Sequence, residues 1–263
     1  MQHRSVAYVA VGLVLMMAAL VATAEAGCAN IPRSGWHKQY SLNFTNNDYQ
    51  HYFRLQYSWN DHNPAGQQRH FALGRVGGRP GLHVTVLPND LPHEKDSATD
   101  PRSELRDQVT PLTLEHEFMF EWSYYLDPDT DWANMKAFIQ QNFGKGAATN
   151  LDVRSGQYEY SSLISGSAGA KRHWNLATWI ASPTKDVGRW VDWLIQYKPS
   201  ATDGYVKVYR GDAGQSCKLV FSVTGATMWD NFNDGYFKLG VYRHIDNVLA
   251  SLWLTDFTLS KRQ

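Results

Sequence analysis

The chain has 263 residues and a balanced charge, with 25 Lys and Arg against 25 Asp and Glu. That neutrality excludes long-range attraction to nucleic acid or to a membrane surface, so any attraction for an acidic partner has to be local. The length suits a single β-sandwich or barrel, and no Pro/Ser-rich linker or block of charge divides it. We therefore expect one domain.

Residues 1–26 have the layout of a cleaved signal peptide. Arg4 precedes an apolar stretch, and a series of small residues follows it. A membrane anchor is the alternative, but the apolar stretch is short for a membrane span. We expect a secreted, extracellular protein whose mature part, residues 27–263, is independent of the membrane. In an oxidising compartment Cys28 and Cys217 could pair.

The mature part shows the period-two alternation of β-strands. Residues 118–124 and 205–209 alternate apolar and polar side chains, and tight turns such as Asp203-Gly204 punctuate the pattern. No long stretch has helical periodicity. The pattern predicts an all-β jelly roll, a sandwich of two antiparallel sheets with an open substrate groove, and an up-and-down barrel is the alternative.

A segment rich in Gly, Ala and Ser, residues 144–170, interrupts this rhythm. Such a segment favours a mobile excursion near a working face, although a plain surface loop fits it equally. Arg172 and His173 follow it directly, so we expect them near the substrate.

The strand predicted at residues 236–242 separates two sets of side chains. Tyr236, Lys238, Gly240 and Tyr242 share one face, while apolar residues occupy the other and form core. A cation and two phenols therefore lie side by side, as a strand facing a cleft requires. The glycine between them would let a ligand approach the backbone closely.

The segment at residues 102–106 carries two cations on one face. Arg102, Glu104 and Arg106 alternate with an inward Leu105, and the glutamate can hold both guanidinium groups in position. A polyanion would find two donors there. A solvated strand with cross-paired charges is the alternative.

A third segment, residues 136–143, also alternates. It places Lys136, Phe138, Gln140 and Asn142 on one predicted face. The two amides could bind a carboxylate without adding charge, which suits a uronate group that is only partly neutralised.

These three segments, Arg-Ser-Glu-Leu-Arg, Gln-x-Asn and Tyr-Phe-Lys-Leu-Gly-Val-Tyr, resemble in order and spacing the jelly-roll polysaccharide lyases. That group includes glucuronan lyases, alginate lyases and the heparin lyase I type, and the resemblance runs from Arg102 to Tyr242. It implies a lyase that cleaves an acidic polysaccharide of uronic acids by β-elimination and releases unsaturated oligouronides.

The resemblance also implies roles for individual residues. Tyr242 would take and return the proton, and the arginine and amide strands would bind the uronate carboxylate. The residues assigned to catalysis are Tyr242, Arg102, Gln140, Asn142 and Lys238. The residues assigned to substrate binding are Arg106, Glu104, Lys136, Tyr236, His244, Arg172 and His173.

One departure from the family narrows the substrate. Many members carry Gln-x-His on the amide strand, and Asn142 stands here in the place of that histidine. Elimination from glucuronate or mannuronate removes H5 and the O4 leaving group from the same side, so one tyrosine can act as base and then acid. We therefore expect β-1,4-glucuronan or alginate of the mannuronan type as substrate.

Two further expectations concern the groups around Tyr242. The histidines that could replace the absent one are His83, His173 and His244. Cations near Tyr242, such as Lys238 and Arg106, are expected to favour its phenolate.

Two rival functions use the same fold. A non-catalytic carbohydrate-binding module would explain the many aromatic residues, but it does not require Lys238 and Tyr242 together. A glycoside hydrolase would require a pair of carboxylates that the strands do not offer. No zinc-type spacing of ligands occurs, so we expect no metal and no cofactor at the site, although a structural calcium ion is compatible with the sequence. We expect a monomer.

Overall fold

A computed structural model describes residues 28–93, 100–144, 146–163, 174–178, 182–229, 234–244 and 247–262. The signal peptide predicted at residues 1–26, together with Arg172 and His173, lies outside them. The strands and α-helices of the described residues, in chain order, are β1 His37–Leu42, α1 Tyr49–Tyr52, β2 Phe53–Gln56, α2 Pro64–His70, β3 Phe71–Val76, β4 Arg79–Val86, β5 Arg102–Asp107, β6 Glu117–Leu126, β7 Lys136–Phe143, β8 Ala147–Arg154, β9 Gln157–Leu163, β10 Trp174–Thr178, β11 Trp190–Lys198, β12 Gly204–Asp212, β13 Lys218–Gly225, β14 Tyr236–Arg243 and β15 Ala250–Arg262.

The strands form two antiparallel sheets. The eight-stranded sheet has the order β13-β12-β11-β6-β15-β4-β3, with β1 added alongside β15. The seven-stranded sheet has the order β10-β9-β8-β7-β14-β5-β2. Both sheets end in edge strands rather than closing on themselves, so the predicted two-sheet jelly roll is confirmed and the barrel alternative is wrong.

The core lies between the two sheets. Phe237 of β14 stacks on Phe120 of β6 with ring centroids 4.1 Å apart, and Tyr158 of β9 meets Trp193 of β11 edge to face at 5.2 Å. All four side chains are buried. Burying an aromatic side chain of this size stabilises the fold by roughly 1.5–3 kcal/mol, so these contacts fix which face of each sheet points inward.

Much of the segment that the sequence predicts to be an excursion is sheet instead. Residues 147–163 form the hairpin of β8 and β9, so the expectation of a mobile loop is wrong for them. Leu151 and Val153 bury their side chains in the core, and Ser155 and Gly156 make a two-residue turn with φ values of 48° and 73°. The many small residues of this segment made its strands hard to recognise in the sequence, although their inward side chains are apolar.

A disulfide bond joins Cys28 to Cys217, 189 residues later. The bond packs with Ile31, Met119 and Leu194 on the face of the eight-stranded sheet that points away from the core. Closing so long a loop restricts the unfolded chain, and the chain-entropy relation gives a stabilisation of about 5 kcal/mol before any strain in the folded state. No helix of the described residues is long and apolar enough to cross a membrane.

Candidate active site

Strand β14 lies between β5 and β7 in the middle of the seven-stranded sheet. Its apolar side chains enter the core, so its other side chains point to the outer face of this sheet, which we call the cleft face. Directly opposed residues of antiparallel strands share a face. The register therefore gives the members of the cleft face on the three central strands and β8, which are Arg102, Glu104, Arg106, Lys136, Phe138, Gln141, Phe143, Ala147, Asn150, Asp152, Arg154, Tyr236, Lys238, Gly240 and Tyr242.

Lys238 and Glu104 form a buried ion pair at the centre of the cleft face. The ammonium donates to the carboxylate at 3.0 Å, and the two side chains are 2% and 3% exposed. Arg102 approaches the same carboxylate at 3.7 Å. Burial lowers the pKa of Lys238, and Glu104 opposes that shift. The glutamate thus holds one arginine and the lysine, rather than the two arginines that the sequence predicts.

Arg106 belongs to an aromatic stack instead. Its guanidinium lies 3.7 Å from the ring centroid of Tyr236, and Phe143 stacks against the same tyrosine at 5.2 Å. A guanidinium on a ring face keeps its N–H groups at the edge available for an anion. Arg106 and Tyr236 are both on the cleft face, as the sequence predicts.

Tyr242 is half-buried between a cation and two rings. The Arg102 guanidinium lies 4.2 Å from its ring centroid, and Phe138 lies 5.5 Å away. Burial raises the pKa of Tyr242 above 10.0, Arg102 lowers it, and Asp100 and Glu104 raise it further. The net direction contradicts the expectation that neighbouring cations favour the phenolate.

The partners of the other two cations explain this correction. Lys238 is four residues from Tyr242, about 13 Å of extended strand, and its ammonium is paired with the buried Glu104 carboxylate. Arg106 stands opposite Lys238 in the register and lies on the ring of Tyr236. Arg102 is therefore the cation that lowers the pKa of Tyr242.

Gly240 allows close packing of two strands in the sheet. Its φ is 137°, and a Cβ atom added there would come within 2.3 Å of the Ser103 carbonyl oxygen on β5. The glycine therefore lets β14 approach β5 closely, which pairs Tyr242 with Arg102. The expectation that it also lets a ligand approach the backbone stays a prediction.

The predicted placement of Gln140 and Asn142 on the cleft face is wrong. Between Phe138 and Gln140, β7 contributes one more residue than β8, which is a β-bulge at Ile139. Gln140 then pairs with Leu239 and Asn142 with Phe237, both of which face the core.

Hydrogen bonds agree with this inward placement. The Asn142 amide donates to Thr149 Oγ1 at 2.8 Å, and the buried Tyr160 hydroxyl donates to the same oxygen at 3.0 Å. Gln140 donates weakly to Asn142 at 3.3 Å, and its own Oε1 has no hydrogen-bond partner among the described residues. Both amides are therefore parts of the core.

The bulge brings Gln141 to the cleft face in their place. Gln141 lies opposite Lys238, and its amide donates to Asn150 Oδ1 at 3.1 Å, while Asn150 donates to Ser161 at 3.3 Å. This row of neutral polar groups continues the row of Arg106 and Lys238 across the sheet. Sequence reasoning missed Gln141 and Asn150. The one signal in the sequence is that Gln140 and Gln141 are adjacent, so either of them can be the glutamine of the family's Gln-x-His motif.

Counting from Gln141 changes which residue replaces the family's histidine. The residue two positions further is Phe143, whose ring stacks on Tyr236. The amide strand therefore offers no basic side chain beside Tyr242 other than the exposed Lys136 at its beginning.

His244 lies next to Tyr242 on the same side of the chain. Its Nδ1 is 2.9 Å from a carboxylate oxygen of Asp100, and its ring lies 4.8 Å from Phe138 and 5.9 Å from Tyr242. Burial lowers the pKa of His244, and Asp100 opposes that shift. His83, by contrast, bonds Asp127 and belongs to β4 of the other sheet, so it is remote from the cleft face.

One cluster of metal-type ligands occurs among the described residues. Ligand atoms of Asp61, His70 and Asp90 lie within 4.8 Å of one another. The ring of His70 already bonds Asp61 at 2.9 Å and the Thr85 carbonyl oxygen at 2.9 Å. These contacts are interior, because His70 and the adjoining Ser103 hydroxyl are fully buried.

Comparison with known proteins identifies the family. A family model described as polysaccharide lyase matches residues 56–258, which include every described residue of the cleft face. The chain belongs to the polysaccharide lyase family. No protein of curated function matches the lyase significantly in sequence.

Solved structures resemble the lyase at low sequence identity. The endo-beta-1,4-glucuronan lyase of the fungus Trichoderma reesei shares 13% identity with a TM-score of 0.63, over 85% of this chain and 95% of that chain. A family 7 alginate lyase in complex with substrate shares 16% with a TM-score of 0.59, over 84% and 97%. The marine alginate lyase of family 14 from Aplysia kurodai shares 9% with a TM-score of 0.59, over 85% and 98%. At these identities the likeness shows the fold.

Family membership resolves the rival functions. The protein is a polysaccharide lyase, and an acidic polysaccharide is the substrate that membership implies. The alternatives of a non-catalytic sugar-binding module and a glycoside hydrolase are set aside.

Proposed function

We propose that the lyase is secreted and cleaves β-1,4-linked glucuronan or mannuronan by β-elimination, with Tyr242 as the reacting group. The observation that carries the proposal is the common face of Tyr242, Arg102 and Gln141, with a phenol, a cation and a neutral amide on three adjacent strands. The similar folds of a glucuronan lyase and of alginate lyases support the choice of uronate chains.

The chemistry assigns one task to each group. The Arg102 guanidinium lies 4.2 Å from the Tyr242 ring centroid and 3.7 Å from the Glu104 carboxylate that Lys238 binds, so it reaches from the phenol toward Gln141, which stands opposite Lys238. A uronate carboxylate bound between Arg102 and Gln141 is then next to the phenol, and both partners stabilise negative charge as H5 is removed. The Tyr242 phenolate takes H5, the electrons of the C5–H bond form the new C4–C5 double bond, and the C4–O4 bond breaks. The phenol then returns its proton to O4, so proton and electrons balance without a cofactor.

The epimer preference follows from the side chains around the phenol. The β7 residue opposite Tyr242 is Phe138, which is not a base, and the exposed Lys136 beside it is a cation at neutral pH. One tyrosine therefore serves both proton transfers from the same side of the sugar ring. This geometry suits glucuronate and mannuronate, whose H5 and O4 lie on one side, and not guluronate.

Ultraviolet absorbance of the unsaturated uronate tests the activity, because elimination alone makes that product. Glucuronan and polymannuronate should give signal, and polyguluronate should give little. Tyr242→Phe, which removes one oxygen, should abolish the signal, whereas Tyr209→Phe on the eight-stranded sheet should not. Normal turnover of Tyr242→Phe, or a clear preference for polyguluronate, would contradict the proposal.

Export, the absence of a cofactor and a monomeric state belong to the same proposal. The amino-terminal sequence of protein recovered from the culture medium should begin near Gly27. Activity should survive extensive treatment with a chelator, and sedimentation should give the mass of one chain. Retention of the protein in the cell, loss of activity with the chelator or a larger mass would each remove that part.

A further inference from the structure

Asp100 and His244 form a hydrogen-bonded pair beside the phenol. The backbone N–H of Arg243 donates to the Pro101 carbonyl at 3.0 Å, and that of His244 donates to the Lys136 carbonyl at 2.9 Å. These two bonds place the end of β14 between the chain before β5 and the start of β7. Asp100, which is 6% exposed, thereby meets the imidazole at 2.9 Å.

The pair leaves one nitrogen of the imidazole available. A carboxylate only accepts hydrogen bonds, so Nδ1 carries the proton and Nε2 of the neutral ring holds a lone pair. That Nε2 is buried and has no hydrogen-bond partner among the described residues. A buried acceptor without a donor is unfavourable, and the ring of Tyr242 lies 5.9 Å away, tilted by 31°.

We propose that Nε2 of His244, with Asp100 fixing the ring from the other side, accepts the phenolic proton of Tyr242 and so supplies the phenolate that begins the elimination. The inference rests on the proposed function of Tyr242. His244 is a positioning residue in this scheme, because it acts on the substrate through the tyrosine.

The surrounding charges make such an acceptor necessary. Asp100 and Glu104 disfavour a phenolate at Tyr242, and burial does the same, while Arg102 is the cation that favours it. Burial lowers the pKa of His244 and so favours its neutral imidazole, Asp100 favours the charged form, and the charges of Lys136 on β7 and Arg154 on β8 act with burial. A neutral imidazole beside a phenol that resists ionisation can take its proton directly or through one water molecule.

The proton count closes over a turnover. The phenolic proton moves to Nε2 and leaves a phenolate and an imidazolium. The phenolate takes H5 and then gives that proton to O4 as the C4–O4 bond breaks, which restores the phenolate. The imidazolium keeps its proton throughout, or returns it to the phenolate when the product leaves.

The test is the pH profile of His244→Asn, whose side-chain amide can still donate to Asp100 but has no basic nitrogen. At neutral pH we expect kcat to fall about 100-fold or more while KM changes little. The deficit should shrink as the pH approaches the ionisation of the phenol itself, because hydroxide then removes the proton. The acid limb of the profile should also disappear.

Two further variants keep the test decisive. Asp100→Asn should reproduce the loss in part, and His37→Asn, at an exposed histidine of β1, should change nothing. In His244→Ala, added imidazole should restore turnover. An equal loss at every pH without rescue by imidazole would mean a structural role and would overturn the proposal, as would unchanged turnover.

A second measurement separates this inference from the proposed function. Nuclear magnetic resonance of the intact protein follows the imidazole of His244, assigned by its absence in His244→Asn. Its titration midpoint should shift in Tyr242→Phe, even if no uronate chain proves to be a substrate. An unshifted midpoint would overturn the pairing of His244 with the phenol.

Discussion

Gln141 and Gln140 provide the sharpest test of the site, because adjacent residues of one strand receive opposite roles. Gln141 lies on the cleft face opposite Lys238, and Gln140 faces the core opposite Leu239. The same substitution at both positions, Gln to Leu, removes the same polar group. The two variants are therefore each other's controls.

The expected magnitudes differ by orders of magnitude. If the Gln141 amide donates to a carboxylate whose charge grows in the transition state, its loss should lower kcat by about 10²–10³, or roughly 2.7–4 kcal/mol of barrier. Gln140 makes only a 3.3 Å bond to Asn142, and its Oε1 has no partner among the described residues. Gln140→Leu should keep kcat within about twofold and leave stability nearly unchanged, because it removes one unsatisfied buried acceptor but deprives Asn142 Oδ1 of its weak donor.

Initial rates of ultraviolet absorbance on glucuronan or polymannuronate, with urea unfolding of each variant, measure both quantities. A loss of kcat in Gln140→Leu but not in Gln141→Leu, or an equal loss in both variants, would refute the placement of the bulge at Ile139. Instability of Gln141→Leu without a change in kcat would instead assign the Gln141 to Asn150 bond a purely structural role and refute the carboxylate contact.

Three further predictions concern stability. Glu104→Gln should lower the free energy of unfolding by about 3–5 kcal/mol, because it leaves the buried Lys238 ammonium without its counter-charge. Urea unfolding measures this, and an unchanged midpoint would contradict it. Replacing both Cys28 and Cys217 with alanine should cost roughly 2–5 kcal/mol, seen as a lower thermal midpoint, and an unchanged midpoint would show that the bond does not restrict the unfolded chain. Burial raises the pKa of Asp107 above 3.8, so the contribution of this group to wild-type stability falls as the pH rises from 3.8 through the folded pKa. Asp107→Asn should therefore be more stable than wild type at about pH 7 and equal to it at about pH 3. A difference in unfolding free energy that does not change with pH would contradict this.

Local alternation predicted two of the three central strands correctly. In β14 the core side chains Phe237, Leu239 and Val241 alternate with Lys238 and Tyr242, and that spacing alone identifies the outward face. Strand β5 follows the same rule. In both strands the residues that point inward are strongly apolar or small, so the pattern has one consistent solution.

Alternation predicts the wrong face for the second half of strand β7. Its sequence alternates well enough for a regular strand, but the bulge at Ile139 inserts one residue and reverses the face of everything that follows. Bulges depend on how neighbouring strands meet, and Gln140 and Gln141 are chemically identical. The choice between them is made by β8 and β14 rather than by β7.

Contacts between distant residues were equally hidden. Asp100 and His244 lie 144 positions apart and meet through the backbone pairing of β14. The raised pKa of Tyr242 likewise depends on burial and on which charges are near in space. Residue types predicted the members of the site, whereas sheet register determines their partners.

The disulfide bond has a practical consequence for handling the enzyme. Cys28 is anchored to the side of the molecule opposite the cleft face, since its cluster covers the outer surface of the eight-stranded sheet. A support or fusion partner attached next to Cys28 would hold the protein on the side opposite the cleft face. Long polysaccharide chains would then meet the cleft face from solution, so immobilisation at that position should leave catalysis unobstructed.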